Sequence, residues 1–468
     1  MQIYPINALL AAVFVLLCSS IAYVLHKNRK LALAINLITL ASLAMLSLYL
    51  LESGAEQQIF GFLMVYPFST FMLSITAILF ALVNLAAYGF GSDRFFALSG
   101  FVLVGAFAVI SSTSFLSLLI GIELIAIPAS FMIPSKEPHT TEATIKFFIM
   151  SSAAAASLAF GIALIYPFNV SLLLSGWLGS NIGISYIPLV SFMLILLGLS
   201  FECALLPFNL WMADVYQGSQ GAMPAMLSGI NMFAMFAALI EVYVLSFGAS
   251  NAVTSKVLAV VAAATMLFGN LLALRQKNVK RMLASSSIVQ AGYIAVGISA
   301  YPIYGIGPAI FYMVAYAFAA IGVFVMVSHI DRKGLRSMED YSGLSATSPV
   351  AAFALAILML SMVGIPPLAG FVAKFATFSA AAKSSLVWLA VFAVLNSFIS
   401  MYYYGRLIME MYSSSRPRER IAFPWGITAA FLLCVAVIVA LGIYPQPVLS
   451  ASYLAANSIV RASVLVHP

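Results

Sequence analysis

Charged residues are scarce in this sequence. Only 7% of the 468 residues are charged and 63% are hydrophobic, whereas a soluble domain carries roughly 25% charged residues. This scarcity excludes a water-soluble globular protein. Because a membrane-spanning helix needs about 20 mainly apolar residues, the chain has room for on the order of fourteen spans in one bundle.

Side chains that bind metals or redox groups are also scarce. Cys18, Cys203 and Cys434 stand singly in apolar segments, with no CxxC pair and no histidine at ligand spacing. The histidines, which we assign to loops or to the tail, are His26, His139, His329 and His467. This placement argues against paired haem ligands inside the membrane. We therefore expect no metal site and no cofactor in this chain.

Nucleotide-binding motifs are absent from the sequence. There is no GxxxxGK[ST] motif and no GxGxxG motif between a strand and a helix. The formal net charge of +7 does not indicate a nucleic-acid partner, because the basic residues lie in short loops where they determine membrane orientation. The run from Arg275 to Arg281 is interpreted as one such loop.

Apolar runs interrupted by glycine, proline or charge predict an all-α integral membrane protein with about fourteen transmembrane helices. The predicted helices are 4–25, 31–51, 67–90, 95–112, 115–134, 142–166, 186–212, 222–247, 253–274, 282–301, 305–328, 350–382, 385–411 and 422–444. The first is interpreted as a retained helix and not as a signal peptide, because it is too long and no basic segment precedes it.

Basic residues are divided unevenly between the two sets of alternate loops. Seventeen fall on one side, and only Lys256, Lys383 and Arg461 fall on the other. By the positive-inside rule, the first side is cytoplasmic. Because the predicted number of helices is even, we expect both termini on the non-cytoplasmic side of the cell (inner) membrane.

Two predicted helices are longer than one crossing requires, and both contain helix breakers. The first is interrupted at Pro207, and the second at Pro366 and Pro367. Interrupted helices at matching positions in two halves are typical of inverted-repeat transporters, with the ion path at the breaks. We predict two inverted five-helix repeats, each with a broken helix. Within a single transmembrane domain, 1–468, these repeats are 95–247 and 253–411.

Four ionisable side chains lie inside apolar runs: Glu123, Glu202, Glu241 and Lys374. A charge at the bilayer centre costs about 3 kcal/mol, so each should face protein or trapped water. One interpretation is a buried ion pair that fixes helix packing, and the other is a proton path. The second is favoured for Glu123 and Lys374, which lie beside a proline or a helix break. We predict that all four belong to a proton path, and we identify no catalytic residue.

Six stretches follow one another along the chain as recognisable motifs. They are GIEL at 121–124 followed by Pro128, EATIKFF at 142–148, FECALLPFNLWMADVYQG at 201–218, GNLLALRQKNVKRMLASSSI at 269–288, GIPPLAGFVAKF at 364–375 and LNSFISMYYYGRL at 395–407. In this order they resemble the motifs of the antiporter-like membrane subunits of respiratory complex I and its relatives.

The resemblance implies a fourteen-helix fold with two inverted repeats. It also implies that the chain couples quinone reduction in partner subunits to proton movement, with Glu123 and Lys374 in the proton path. NAD, flavin, iron–sulfur clusters and quinone would then belong to partner subunits. The implied partners are other membrane subunits of a complex I-like assembly, the lipid bilayer and protons or, alternatively, sodium ions.

The sequence departs from the family pattern at several polar positions. Glu202 replaces a lysine, Asn209 a histidine and Gln290 another histidine, and the lysine of the next helix falls near Met232. The polar axis is therefore thinner and more acidic. We predict that Glu202 and Glu123 share one proton, because two carboxylates close together in a poorly hydrated site do not both ionise easily.

Other functions remain open at this point. A subunit of a multi-subunit sodium/proton antiporter or of a membrane-bound hydrogenase would share the fold and the intramembrane charges. A stand-alone carrier of organic solutes would need a substrate-sized polar cavity, for which the sequence has few polar side chains. A purely structural membrane anchor is the fourth alternative.

Overall fold

The computed structural model describes residues 3–54, 56–133, 138–175, 186–248, 252–300, 304–413 and 421–465. Residues 1 and 468, whose side of the membrane was predicted above, lie outside the described residues. His467 lies outside them as well.

Helices make up most of the described chain. In order they are α1 (Ile3–His26), α2 (Arg29–Ser53), α3 (Pro67–Phe90), α4 (Asp93–Ile110), α5 (Phe115–Met132), α6 (Pro138–Ile165), α7 (Ile187–Glu202), α8 (Trp211–Gly218), α9 (Met223–Ala225), α10 (Met232–Val242), α11 (Ala252–Arg275), α12 (Val279–Ser299), α13 (Ile306–Asp331), α14 (Leu344–Thr347), α15 (Pro349–Val363), α16 (Ala369–Lys383), α17 (Val387–Tyr412), α18 (Trp425–Ile443) and α19 (Gln446–Leu465). Two π-helical segments, Met226–Asn231 and Tyr243–Gly248, flank α10, so the predicted helix 222–247 is not a regular α-helix. A 3₁₀ turn covers Met338–Tyr341.

The number of membrane crossings agrees with the prediction. Within the described ranges, 12 helices are long and apolar enough to cross a membrane. The pairs α7/α8 and α15/α16 are interrupted where breakers were predicted. Counting each broken pair as one crossing gives fourteen crossings, so the all-α membrane fold is confirmed. The boundaries of the inverted repeats stay a prediction.

Two elements have no counterpart in the sequence interpretation. Strands β1 (Gln57–Ile59) and β2 (Leu63–Val65) form an antiparallel hairpin, and α19 packs against α3 and α13 after the last predicted crossing. Three-residue strands are too short for their alternation to be recognised. Helix α19 was missed because polar residues interrupt its apolar stripe.

The centre of the bundle is formed by α12 and α13. Every residue of α13 is buried, and Arg281 is the one residue of α12 that is not. Helices α1, α2, α6, α17 and α18 expose large apolar side chains instead. An apolar exposed surface of this extent marks contact with lipid or with other subunits.

Two local assignments from the sequence were wrong. His329 lies in the last turn of α13 and not in a loop, and His26 and His139 likewise lie at helix ends. The run from Arg275 to Arg281 is not one loop, because Arg275 ends α11 and α12 begins at Val279. The side chain of Asn278 accepts a hydrogen bond from the backbone N–H of Arg281 at 3.1 Å. This N-cap starts α12 before its basic residues.

Candidate functional site

The first helix break lies between α7 and α8. Helix α7 ends at Glu202 and α8 begins at Trp211, with Pro207 between them, where it cannot donate a helical hydrogen bond. The indole Nε1 of Trp211 donates to the carbonyl of Phe201 at 3.2 Å. Pro207 therefore lies in the interruption between the two helices, and Glu202 occupies the last position of the shortened helix.

Buried polar atoms without hydrogen-bond partners surround this first break. Within the described residues they include Oε1 of Glu202, both amide atoms of Asn209 and the hydroxyl of Tyr216. Leaving such a group unpaired costs roughly 1–3 kcal/mol, and native proteins satisfy buried polar atoms with ordered water where protein partners are lacking. The first break therefore has the chemistry of a small hydrated acidic site.

Glu123 lies on α5, five residues before Pro128, which stands inside the same helix. Its side chain is half-buried. Glu202, of which 4% is exposed, lies within electrostatic range of Glu123. The structure thus places the two carboxylates within electrostatic range of each other, and the shared proton stays a prediction.

The second helix break lies between α15 and α16. Helix α15 ends at Val363 and α16 begins at Ala369, and Pro366 and Pro367 lie between them. Gly364 caps α15 in the left-handed region with φ 93°, which glycine adopts at no steric cost. A Cβ at Gly370 would collide with the backbone carbonyl of Ser361. The predicted helix breakers Pro366 and Pro367 lie in this interruption, and glycine permits the close approach of the two half-helices.

Lys374 lies on α16 just after the second break, and 6% of it is exposed. Its Nζ donates to the carbonyl of Val363 and to Oγ of Ser397, both at 2.8 Å. The same ammonium lies 4.6 Å from the ring centroid of Tyr293, a distance typical of a cation–π contact. In the part of the chain that the structure describes, no carboxylate forms an ion pair with Lys374. The second break is therefore organised around one cation.

An apolar cavity of about 350 Å³ opens beside Lys374. Phe375 and Phe398 lie on its rim and are exposed. The cavity therefore connects the surroundings of Lys374 with the surface of the bundle that faces lipid or other subunits.

Glu241 lies on α10 in a separate polar cluster. The hydroxyl of Tyr66 donates to its Oε1 at 2.8 Å, and Ser112 lies beside the same carboxylate. Both neighbours belong to segments next to the β1–β2 hairpin, since Ser112 pairs with Leu63. The recorded contacts therefore join Glu241 to the hairpin and not to the pair formed by Glu123 and Glu202.

An ion-pair network that the sequence did not reveal holds α8. Asp214 on α8 pairs with Lys146 on α6 at 2.9 Å and with Arg281 on α12 at 2.7 Å. Lys280 pairs with Asp331 at 2.8 Å and donates to the carbonyl of Ser219 at 3.0 Å. The network therefore fixes the second half of the first broken helix to elements of both halves of the chain. The signal in the sequence was the pair of basic residues after Asn278, which was assigned to a loop.

Comparison with known proteins identifies relatives of the chain. Residues 112–400 match the family model described as NADH:quinone oxidoreductase/Mrp antiporter, transmembrane. The chain is similar to NADH-quinone oxidoreductase subunit N from Desulfitobacterium hafniense, with 33% identity over 391 residues that cover 79% of each chain. It is also similar to F(420)H(2) dehydrogenase subunit N from Methanosarcina mazei, with 31% identity over 387 residues, 79% of this chain and 78% of the relative.

The fold also matches a solved structure. A chain of respiratory complex I from Thermus thermophilus superposes on this one with a TM-score of 0.81 at 29% identity, covering 94% of this chain and 98% of that chain. The match extends over nearly all of both chains.

Proposed function

This chain belongs to the NADH:quinone oxidoreductase/Mrp antiporter membrane family, and on that basis we propose that it is the proton-translocating membrane subunit of a complex I-type oxidoreductase. In this function it couples electron transfer to quinone, carried out by partner subunits, to proton movement across the membrane. The observation that carries the proposal is the pair of helix breaks, with an acid at one and a lone cation at the other.

The four ionisable residues have different roles in this proposal. Glu123 and Glu202 share one proton at the first break, where the unpartnered polar atoms indicate bound water. Lys374 accepts and releases a proton at the second break. Glu241 belongs to the path at the hairpin end of the bundle. A buried ion pair with a packing role alone does not explain Lys374, because the lysine has no described carboxylate partner.

The redox groups belong to partner subunits in this proposal. NAD, flavin, iron–sulfur clusters and quinone are assigned to those subunits, and this chain contributes no redox centre. The similarity to an F(420)H(2) dehydrogenase subunit makes F(420)H(2) the alternative electron donor. The chain lies in the cell (inner) membrane with both termini on the non-cytoplasmic side.

The proposal is tested on Lys374→Ala in the assembled complex. Inverted membrane vesicles are supplied with the electron donor, and proton uptake is measured per electron transferred, together with the amount of assembled complex. We expect proton uptake to fall much more than assembly, while Lys383→Ala, at the exposed end of the same helix, behaves as wild type. Unchanged proton uptake by an assembled Lys374→Ala complex would contradict the proposal.

The alternative function is that of a sodium/proton antiporter subunit, since the family model covers both classes. The same vesicles discriminate between the two. Sodium-driven proton movement without an electron donor would favour the antiporter, and donor-dependent proton uptake in sodium-free medium would favour the oxidoreductase.

The proposed orientation is tested by labelling. Single cysteines at Gln2 and His467, in a background without Cys18, should react with an impermeant maleimide added to intact cells. Labelling of either position only after lysis would contradict the orientation.

A further inference from the structure

The region between the two helix breaks contains no charged side chain on the central helices. From Met282 to Ser328, which includes nearly all of α12 and α13, the sequence has no Asp, Glu, Lys, Arg or His. A proton that passes between Glu202 and Lys374 through the bundle must therefore be carried by neutral polar groups or by water.

Two tyrosines of α13 occupy this region. Tyr312 and Tyr316 are four residues apart, so their side chains lie on the same face of the helix. They are 2% and 5% exposed. The Tyr312 hydroxyl donates to Oε1 of Gln290 at 2.6 Å, and the Tyr316 hydroxyl lies 3.7 Å from Sδ of Met232. Gln290 stands where the family pattern has a histidine, and the family's lysine falls near Met232. Each tyrosine hydroxyl thus contacts a neutral residue at or near a position that is basic in the family pattern.

Two further tyrosines lie between this pair and the two breaks. Tyr216, on α8, lies within electrostatic range of both Glu202 and Tyr316, and its own hydroxyl has no hydrogen-bond partner within the described residues. Toward Lys374, the ring of Tyr312 lies 6.2 Å from the ring of Tyr293. Tyr293 is the residue beneath the lysine ammonium.

Gln290, which accepts a hydrogen bond from Tyr312, also contacts the second break. Its Nε2 donates to the carbonyl of Met362, the residue before the end of α15, at 3.1 Å. The next carbonyl, that of Val363, accepts from Lys374. Buried polar groups therefore lie at intervals between the first break and the second.

We propose that the hydroxyls of Tyr216, Tyr316 and Tyr312 form a relay that carries protons between Glu202 and Lys374. A tyrosine hydroxyl is both a donor and an acceptor. In each step the oxygen accepts a proton on a lone pair, forming one O–H bond, while its original O–H bond breaks and that proton passes to the next acceptor. The first donor is the protonated carboxyl of Glu202, and the last acceptor is the neutral amine of Lys374, which receives the proton from Tyr312 through water. Gln290 orients the Tyr312 hydroxyl. No oxidant is needed and each tyrosine returns to its neutral form. Single waters complete the contacts where hydroxyls do not touch directly.

This inference rests on the proposed function and is tested separately from it. The variants are Tyr316→Phe, Tyr312→Phe and the double variant, because phenylalanine keeps the ring and removes only the hydroxyl. In inverted vesicles with assembled complex, we expect the double variant to lose donor-driven proton uptake to the level of Lys374→Ala. Tyr341→Phe is the matched control, since Tyr341 is a buried tyrosine outside the relay, and it should behave as wild type.

A rescue experiment separates a relay from a packing role. Met232→Lys combined with Tyr316→Phe places a proton-carrying group next to the position that has lost its hydroxyl, and we expect proton uptake to recover. If Tyr312→Phe does not assemble, Gln290→Leu removes the acceptor of Tyr312 from the opposite helix and should cause the same loss.

Three results would overturn the relay. They are normal proton uptake by the assembled double variant, normal uptake by assembled Gln290→Leu, and no recovery in the assembled rescue variant. If Lys374→Ala loses proton uptake while the tyrosine double variant does not, only the relay fails. If Lys374→Ala is also unaffected, the proposed function fails.

Discussion

At the second helix break, side chains cap the free carbonyls of the broken helix, whereas at the first break buried polar atoms remain without protein partners. Lys374 and Gln290 donate to the last carbonyls of α15 at 2.8 and 3.1 Å. At the first break, Oε1 of Glu202 and both amide atoms of Asn209 have no partner within the described ranges. The same interruption of a helix therefore leaves its last carbonyls capped by side chains at one position, and a carboxylate and an amide without protein partners among the described residues at the other.

The two breaks also differ in how their half-helices are held. Helix α16 is fixed at the break itself, by Lys374 and by the contact of Gly370 with Ser361. Helix α8 is held by the hydrogen bond from Trp211 to the Phe201 carbonyl across the break. It is also held by Asp214 in its first turn, which pairs with Lys146 and Arg281. We therefore expect substitutions at the second break to lower the free energy of unfolding. Substitutions at the first break should leave the fold intact and change proton transfer.

The largest effect on stability is expected from Lys280→Met, in the network that holds α8. The substitution leaves Asp331 buried with Arg336, at 3.4 Å, as its remaining ion-pair partner among the described residues. Breaking a buried ion pair costs about 3–5 kcal/mol, and we expect the lower end because of Arg336. The measurement is the free energy of unfolding of the detergent-solubilised complex, with Lys333→Met, an exposed position in the same region, as the control. Equal stability of the two variants would show that the network does not hold α8.

The next largest effect is expected from Lys374→Met at the second break. It removes the hydrogen bonds that the Lys374 ammonium donates to the carbonyl of Val363 and to Oγ of Ser397, while Ser397 still donates to the same carbonyl at 3.2 Å. A hydrogen bond from a charged group contributes roughly 1.5–3 kcal/mol. Thermal unfolding of the purified complex should therefore begin at a lower temperature than in wild type. A variant as stable as wild type would mean that the second break is hydrated like the first.

A smaller effect on stability is expected from Glu202→Gln. The amide has nearly the shape of the protonated acid, and no hydrogen bond of Oε1 is lost, so the free energy of unfolding should change by less than about 1 kcal/mol. Proton uptake per electron should nevertheless fall, because the amide does not carry a proton. A loss of stability as large as that of Lys374→Met would remove the distinction between the two breaks.

The smallest effect is expected from Arg281→Ala. Its pair with Asp214 is partly exposed, with 30% and 31% of the two side chains accessible. Such pairs contribute about 0–1 kcal/mol, and the contribution decreases as salt is added. The stability difference from Arg275→Ala, an exposed control at the end of α11, should disappear in high salt. A difference that persists in high salt would place Arg281 among the buried, essential contacts.

The sequence predicted the breaks but not their surroundings. Pro207, Pro366 and Pro367 act on the local backbone, so their effect is readable from the sequence alone. The partners of the buried charges come from distant segments: Ser397 reaches Lys374 from α17, and Tyr66 reaches Glu241 across 175 residues. Such pairs depend on how the helices pack against one another. Because each apolar helix has similar hydropathy on every face, the sequence does not indicate which helices will be neighbours.

The ends of the bundle were harder to predict than its centre. The β1–β2 hairpin and α19 were missed because neither is a long apolar run. Lys280 and Arg281 were assigned to a loop because the N-cap at Asn278 was not recognised. Caps and short strands depend on single side-chain contacts, and a pattern based on hydropathy does not include them.

The central claim is that Glu202 gains and loses a proton during turnover at a hydrated break. Redox-difference infrared spectroscopy of the assembled complex measures this directly, through the carboxyl C=O band. We expect a band in wild type that changes on reduction by the electron donor, is absent from Glu202→Gln and is retained in Glu52→Gln, a control at an exposed carboxylate at the end of α2. Identical carboxyl bands in wild type and Glu202→Gln would contradict the claim.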